Sequence, residues 1–98
     1  MTSSAAELIV PSVTSVAISD DVLTMVLSDG RSVSVPLAWY PRLLHASTTE
    51  RHNHRLIGKG QGVHWPDVDE DISVESVLRG QPSAEDPSSL SRWLDARK

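Results

Sequence analysis

Residues 22–36, "VLTMVLSDGRSVSVP", hold two alternating apolar runs joined at Asp29-Gly30, and the register across that turn decides which side chains share a face. A simple two-residue Asp-Gly hairpin would set Met25 opposite Ser34 and Leu27 opposite Ser32, mixing apolar with polar side chains. A type I turn with Gly30 left-handed in a bulge sets Leu27 opposite Arg31, Met25 opposite Val33 and Leu23 opposite Val35. The second register makes one face continuously apolar, so the bulged turn is expected.

The same logic extends backwards. "SVTSVAIS" (12–19) meets this hairpin across Asp20-Asp21, and a two-residue loop there places Ile18 opposite Leu23 and Val16 opposite Met25. Val16, Ile18, Leu23, Met25, Leu27, Val33 and Val35 then form one side of a three-stranded meander. Ala17, Thr24, Ser32 and Ser34 form the other, the pattern of an antiparallel sheet covered on one face.

Working forwards, "LAWYPRLLHA" (37–46) spaces Tyr40, Leu43 and Leu44 for a short helix, with Pro41 tolerated in its first turn. Ser47 and Glu50 have the spacing of a capping box, predicting a second short helix over "TTERHN". "RLIGKGQGVHW" (55–65) returns to extended chain with Gly58, Gly60 and Gly62 spaced by two, as in a bulged strand or hairpin. Ser73 caps a further helix, Ile72 and Val77 take its staple positions, and Gly80 ends it. "QPSAEDPSS" is a polar linker, after which Asp86 and Pro87 start a helix carrying Leu90, Trp93 and Leu94 as an apolar stripe. The expected class is α+β: a small antiparallel sheet, made of the meander and a later bulged strand, packed on short helices. Residues 1–12 read as a flexible N-terminus, 13–80 as a single domain, and 81–98 as the linker and C-terminal amphipathic helix.

The chain has 98 residues, 39% of them hydrophobic, which suits one small core and leaves no room for a second domain. Cysteine is absent, removing disulfides and thiolate metal sites from consideration. The start, "MTSSAAELIV", has no basic leader, and no run approaches the roughly 18 apolar residues of a membrane span. The expected location is the cytoplasm. A net charge of −4, from thirteen acids against nine Lys and Arg, argues against direct nucleic-acid binding, which needs a basic face.

Several motifs point to chemistry and fail on context. "GKGQG" lacks the helix and the Ser/Thr of a phosphate-binding loop. "DVDED" places Asp67, Asp69 and Asp71 as a calcium loop would, yet Ile72 stands where the loop needs glycine and Leu78 where it needs a bidentate acid. His52 and His54, spaced by two, would suit a metal site that His64 with Asp67 or Asp69 completes, but no established ligand spacing supports it. "ERHNHRLIGK" reads as a solvated polar face. Trp39, Tyr40 and Trp65 are three of the four aromatic residues and are expected in or near the core.

With those residues in view, "SDGRSVSVPLAWYPRLLHASTTER" and "GKGQGVHWPDVDEDISVESVLRG" closely resemble the uncharacterised bacterial family called domain of unknown function 2442. The resemblance covers about residues 13–80. It rests on Asp29-Gly30-Arg31, on Pro36-Leu37, on Trp39 through Leu43, on Gly62, on His64-Trp65-Pro66, on Asp69-Glu70-Asp71 and on Gly80. It implies a small α+β fold and no reaction. Relatives of this kind are associated with a neighbouring gene in an arrangement like a toxin–antitoxin pair. That neighbourhood, the absence of a recognisable catalytic constellation and the acidic charge together favour a non-enzymatic interaction module, the antitoxin-like half of a two-gene regulatory pair, with a protein partner and no cofactor.

The alternative is a small enzyme or metal-binding protein using His64 with Asp69, Glu70 or Asp71. Candidate structural or interaction residues are Arg31, Trp39, Arg42, His64, Trp65, Asp69, Glu70, Asp71 and Trp93. "GVHWPDVDED" is expected to be a structural corner: Trp65 ends the last strand inside the core, Pro66 stops it, and the acids lead up to the helix at Ser73. One of those acids is expected to hold Arg31 or Arg42. The C-terminal helix needs a surface, either the sheet face around Ala17, Thr24 and Val26 or a second copy, and a homodimer through it is expected.

Overall fold

The computed structural model describes residues 10–97; most of the segment read as a flexible N-terminus, residues 1–9, lies outside them. The meander forms as its pattern dictates. Strands β1 (Val13–Ile18), β2 (Val22–Leu27) and β3 (Ser32–Pro36) pair antiparallel in that order. Ile18 lies opposite Leu23, Val16 opposite Met25, Met25 opposite Val33 and Leu23 opposite Val35. The bulged turn is present: Leu27 and Arg31 are joined by a 2.8 Å backbone bond and Gly30 takes a φ of +94°, a conformation glycine adopts without strain.

One irregularity was not legible. Val13 and Val16 are three residues apart, so strict alternation would point them to opposite faces. A bulge between Val13 and Ser15 corrects this by setting Val13 opposite Leu27, and Thr14 donates its hydroxyl to the Val26 carbonyl. Val13 is thereby buried.

After β3 a 3₁₀ turn over Leu37–Trp39 leads into helix α1 (Pro41–Leu44), with proline at its first position. Helix α2 (Thr48–His52) begins at a complete capping box: Glu50 N–H donates to Ser47 Oγ at 3.1 Å, and Ser47 N–H donates to Glu50 Oε1 at 2.8 Å.

The later extended segment is a second sheet rather than one bulged strand added to the first. Strands β4 (Arg55–Ile57), β5 (Gly62–Trp65) and β6 (Glu70–Ser73) form a second antiparallel meander in chain order. Trp65 therefore ends the middle strand, with Pro66 after it. Glu70 and Asp71 belong to β6 instead of lying in a loop before the helix. Helix α3 (Val74–Leu78) follows at once, capped by Ser73 Oγ, which accepts from Ser76 N–H. Its end is a Schellman turn: Gln81 N–H reaches the Ser76 carbonyl and Gly80 N–H the Val77 carbonyl, with Gly80 at φ +70°. Helix α4 (Pro87–Ala96) starts at Asp86, whose side chain accepts from Ser89 N–H.

The two meanders and the helices enclose one apolar cluster. Leu23, Met25, Leu37, Leu43, Val63, Trp65 and Val68 are fully excluded from water. Each such burial contributes roughly 1.5–3 kcal/mol before entropy is counted.

Candidate functional site

Alternation along β5 and β6 sorts the acidic segment onto two faces. His64 lies opposite Asp71 and opposite Arg55, so these three form a row on the outer face of the second sheet. The His64 Nδ1 donates to Asp71 Oδ1 at 2.5 Å, which leaves Nε2 as the ring's remaining polar atom. Ser73, next along this face, accepts from Ser76 N–H as the α3 cap. The row therefore holds a histidine–carboxylate pair but places no hydroxyl nucleophile on the ring.

Glu70 points the other way, opposite Trp65 on the core side. Burial pushes its carboxyl up to about 7; Arg42 opposes that shift, and Glu85 and Asp71 add to it. The buried Tyr40 hydroxyl has no hydrogen-bond partner among the described residues, and burial, with Glu70 adding to it, raises its pKa. Asp69 occupies the turn before β6 at φ +52°.

Arg42 is the centre of the most connected polar cluster. Its Nε donates to Glu85 Oε1 at 2.6 Å, its Nη2 to Glu85 Oε2 at 3.3 Å, and its Nη1 to the Val68 carbonyl at 3.2 Å. The Arg42 fork holds the Glu85 carboxyl below its usual range, and the Ser89 hydroxyl supports the shift. The guanidinium also lies 5.3 Å from the centre of the Trp93 ring, and that of Arg97 lies 4.5 Å from it. Arg97 in turn grips both oxygens of Glu50, at 2.6 and 3.1 Å. Hydrogen bonding by Arg97 pulls the Glu50 carboxyl down to about 2. Between these anchors Ser83 N–H donates to the Trp39 carbonyl at 3.0 Å.

The sequence candidates thus separate. Arg42, Trp39, Glu70 and Trp93 gather around one cluster, whereas His64 and Asp71 sit on the outer face of the second sheet. Trp65 is core. Arg31 is bound locally, its Nε donating to Asp29 at 2.8 Å. The acidic run therefore gives an ion-pair partner to neither arginine: Asp29 takes Arg31, and Glu85 takes Arg42. The C-terminal helix lies on the α1–α2 side through Trp93, not on the sheet face around Ala17, Thr24 and Val26.

The metal readings also come apart. His52 ends α2, His54 stacks at 5.6 Å from Trp65, and Asp67 accepts from Asn53. No group of three or more His, Asp or Glu close enough to hold a metal ion occurs among the described residues. Nor is any helix among them long and apolar enough to cross a membrane.

Sequence reasoning missed Glu85, Arg97 and Arg51. The first two stand in a polar linker and at the chain's end, with partners 43 and 47 residues away. Arg51, read as part of a solvated face, donates to the Leu43 and Leu44 carbonyls and closes the end of α1.

A family model described as protein of unknown function (DUF2442) matches residues 13–83. Two solved structures are similar. A protein of unknown function from Rhodospirillum rubrum aligns over 76% of this chain and 93% of its own, with a TM-score of 0.65 and 22% identity. An uncharacterized protein from Chromobacterium violaceum aligns over 88% of this chain and 75% of its own, with a TM-score of 0.63 and 17% identity. At these identities the likeness shows the fold alone. No curated protein matches the chain.

Proposed function

The chain belongs to the DUF2442 family of proteins of unknown function, and from that membership we propose that it is a non-enzymatic protein-interaction module. Its partner is the product of a neighbouring gene, and the pair acts in the cytoplasm as a two-gene regulatory unit with this chain as the antitoxin-like half. The reading is supported by the family membership; the Arg42 cluster, formed within the chain, illustrates the kind of contact such a module makes. A bidentate arginine–carboxylate fork beside a tryptophan under two guanidinium groups is the chemistry by which one polypeptide surface holds another.

A second reading keeps one specific observation on its side, the His64–Asp71 pair. In that reading the pair serves a small enzyme or a metal centre, with Glu70 excluded because it faces the core.

Affinity capture of the full chain from its source cell, beside elemental analysis of the purified protein, separates the two. The module reading expects the neighbouring gene product in stable stoichiometry. His64→Ala is then expected to cost less than about 1 kcal/mol, as for a part-exposed ion pair, and to leave capture unchanged. Stoichiometric metal lost from a folded His64→Ala variant would establish the second reading instead.

A further inference from the structure

The turn that sets the register of the first sheet contains Asp29-Gly30, and an aspartate followed by glycine carries a chemistry of its own. The Gly30 nitrogen can attack the Asp29 side-chain carbon Cγ. The new C–N bond closes a five-membered imide, while the amide proton and the carboxyl hydroxyl leave together as water. Water then reopens the ring at either carbonyl. One opening returns aspartate; the other gives isoaspartate, in which the main chain runs through the side chain and is one carbon longer. Glycine eases the attack because no side chain shields its nitrogen, and nothing lies within 4 Å of the place a Cβ would take at Gly30.

Asp29, Gly30 and Arg31 are all exposed, so water is at hand for the second step. Three hydrogen bonds oppose the first. The attacking group is engaged in the turn, where Gly30 N–H donates to the Leu27 carbonyl at 3.1 Å. Asp29 Oδ1 accepts from Arg31 N–H at 3.1 Å, and Oδ2 accepts from Arg31 Nε at 2.8 Å. Both carboxyl oxygens are thus bonded to Arg31, one residue past the nitrogen that would attack. The Arg31 backbone N–H, and after it the Arg31 side chain, also hold the carboxyl below its usual range, so the protonated form whose hydroxyl must leave is scarcer.

We infer that Asp29-Gly30 is a latent isoaspartate site, which Arg31 holds closed by binding both oxygens of the Asp29 carboxyl. What the closure protects is the register. Leu27 N–H donates to the Arg31 carbonyl at 2.8 Å across the bulged turn, and an extra main-chain carbon between those residues no longer fits that bond. The pairing of Met25 with Val33 and of Leu23 with Val35 starts from it. Damage at an exposed turn therefore reaches Leu23 and Met25, which are fully buried. Arg31 is a positioning residue in this sense, since an exposed ion pair by itself contributes little to stability.

The full chain, incubated warm for weeks near neutral pH, tests this. Isoaspartate at residue 29 is measured by mass spectrometry after digestion with a protease that cuts before aspartate but not before isoaspartate. The folded wild type is expected to form it at least about tenfold more slowly than the same chain held unfolded in urea, because the native hydrogen bonds must open first. Arg31→Ala, which removes the side-chain half of the grip, is expected to be at least about threefold faster than wild type. A folded wild type as fast as the unfolded chain, or a folded Arg31→Ala variant no faster than wild type, overturns the inference. Should circular dichroism show that Arg31→Ala loses its fold, Arg31→Gln against Arg31→Lys decides. The neutral side chain is then expected to be at least about twofold faster than the cationic one, and equal rates overturn the inference.

Discussion

Replacing Trp65 with alanine is expected to cost about 3–5 kcal/mol, the usual range for removing a buried large aromatic side chain. The ring is wholly excluded from water at the end of β5, the middle strand of the second sheet. Its Nε1 donates to the Arg51 carbonyl at 3.0 Å, and the guanidinium of that same arginine closes the end of α1. Truncation therefore opens a cavity and removes the indole donor from that carbonyl. A domain of this size is stable by roughly 5–15 kcal/mol, so the variant should lie near the limit of folding. Urea unfolding followed by circular dichroism measures the loss, and a cost below about 1 kcal/mol would contradict the assigned role. Trp65→Phe, which keeps most of the volume and loses the donor, should fall between the two.

The second large effect is one of pH. Glu70 has an ordinary value of 4.5 and is pushed by burial to about 7 in the folded chain. Below 4.5 both states hold the proton and the residue adds nothing to the balance. As pH rises from there to about 7, the unfolded chain ionises while the folded one resists, so stability falls; beyond that the penalty is constant. Glu50 and Glu85 act in the opposite sense. Their lowered values contribute stability that is present above the ordinary carboxylate range and lost in acid, for Glu50 down to about 2. The wild-type chain should thus be most stable in mild acid. Glu70→Gln removes the decline, making the variant more stable by roughly 2 kcal/mol near pH 8 and about equal near pH 4. Urea midpoints across this range test the claim, and a wild-type curve flat from about pH 5 to about pH 8 would sink it.

The elements legible in the sequence are those where two local rules agree. Around Gly30 the turn chemistry and the apolar alternation select the same register. At Ser47, Ser73 and Asp86 a capping side chain stands at the right distance before a helix. β6 was hidden because "EDIS" is short and sets a single fully apolar side chain, Ile72, into the core beside a half-buried acid. Its charge pattern resembles a solvated approach to a helix. The Thr14 bulge was hidden because it follows from pairing with β2, not from any glycine of its own. The Arg42 cluster was half visible: Arg42 and Trp93 stood out, but nothing local in "QPSAEDPSS" marks Glu85 as the carboxylate that joins them.

Each sheet joins strands that are consecutive in the chain through short connections. The β-pairings therefore close small loops, and the entropy lost before each is rewarded is correspondingly small. Either meander can zip up on its own, while burial of Trp65 and Leu37 waits for the two to meet. Refolding should accordingly proceed on the order of milliseconds, with tryptophan fluorescence lagging the far-ultraviolet signal wherever the two separate. A chain with so much local pairing spends little time exposing unpaired strand edges, which is when small β-rich proteins are most prone to aggregate.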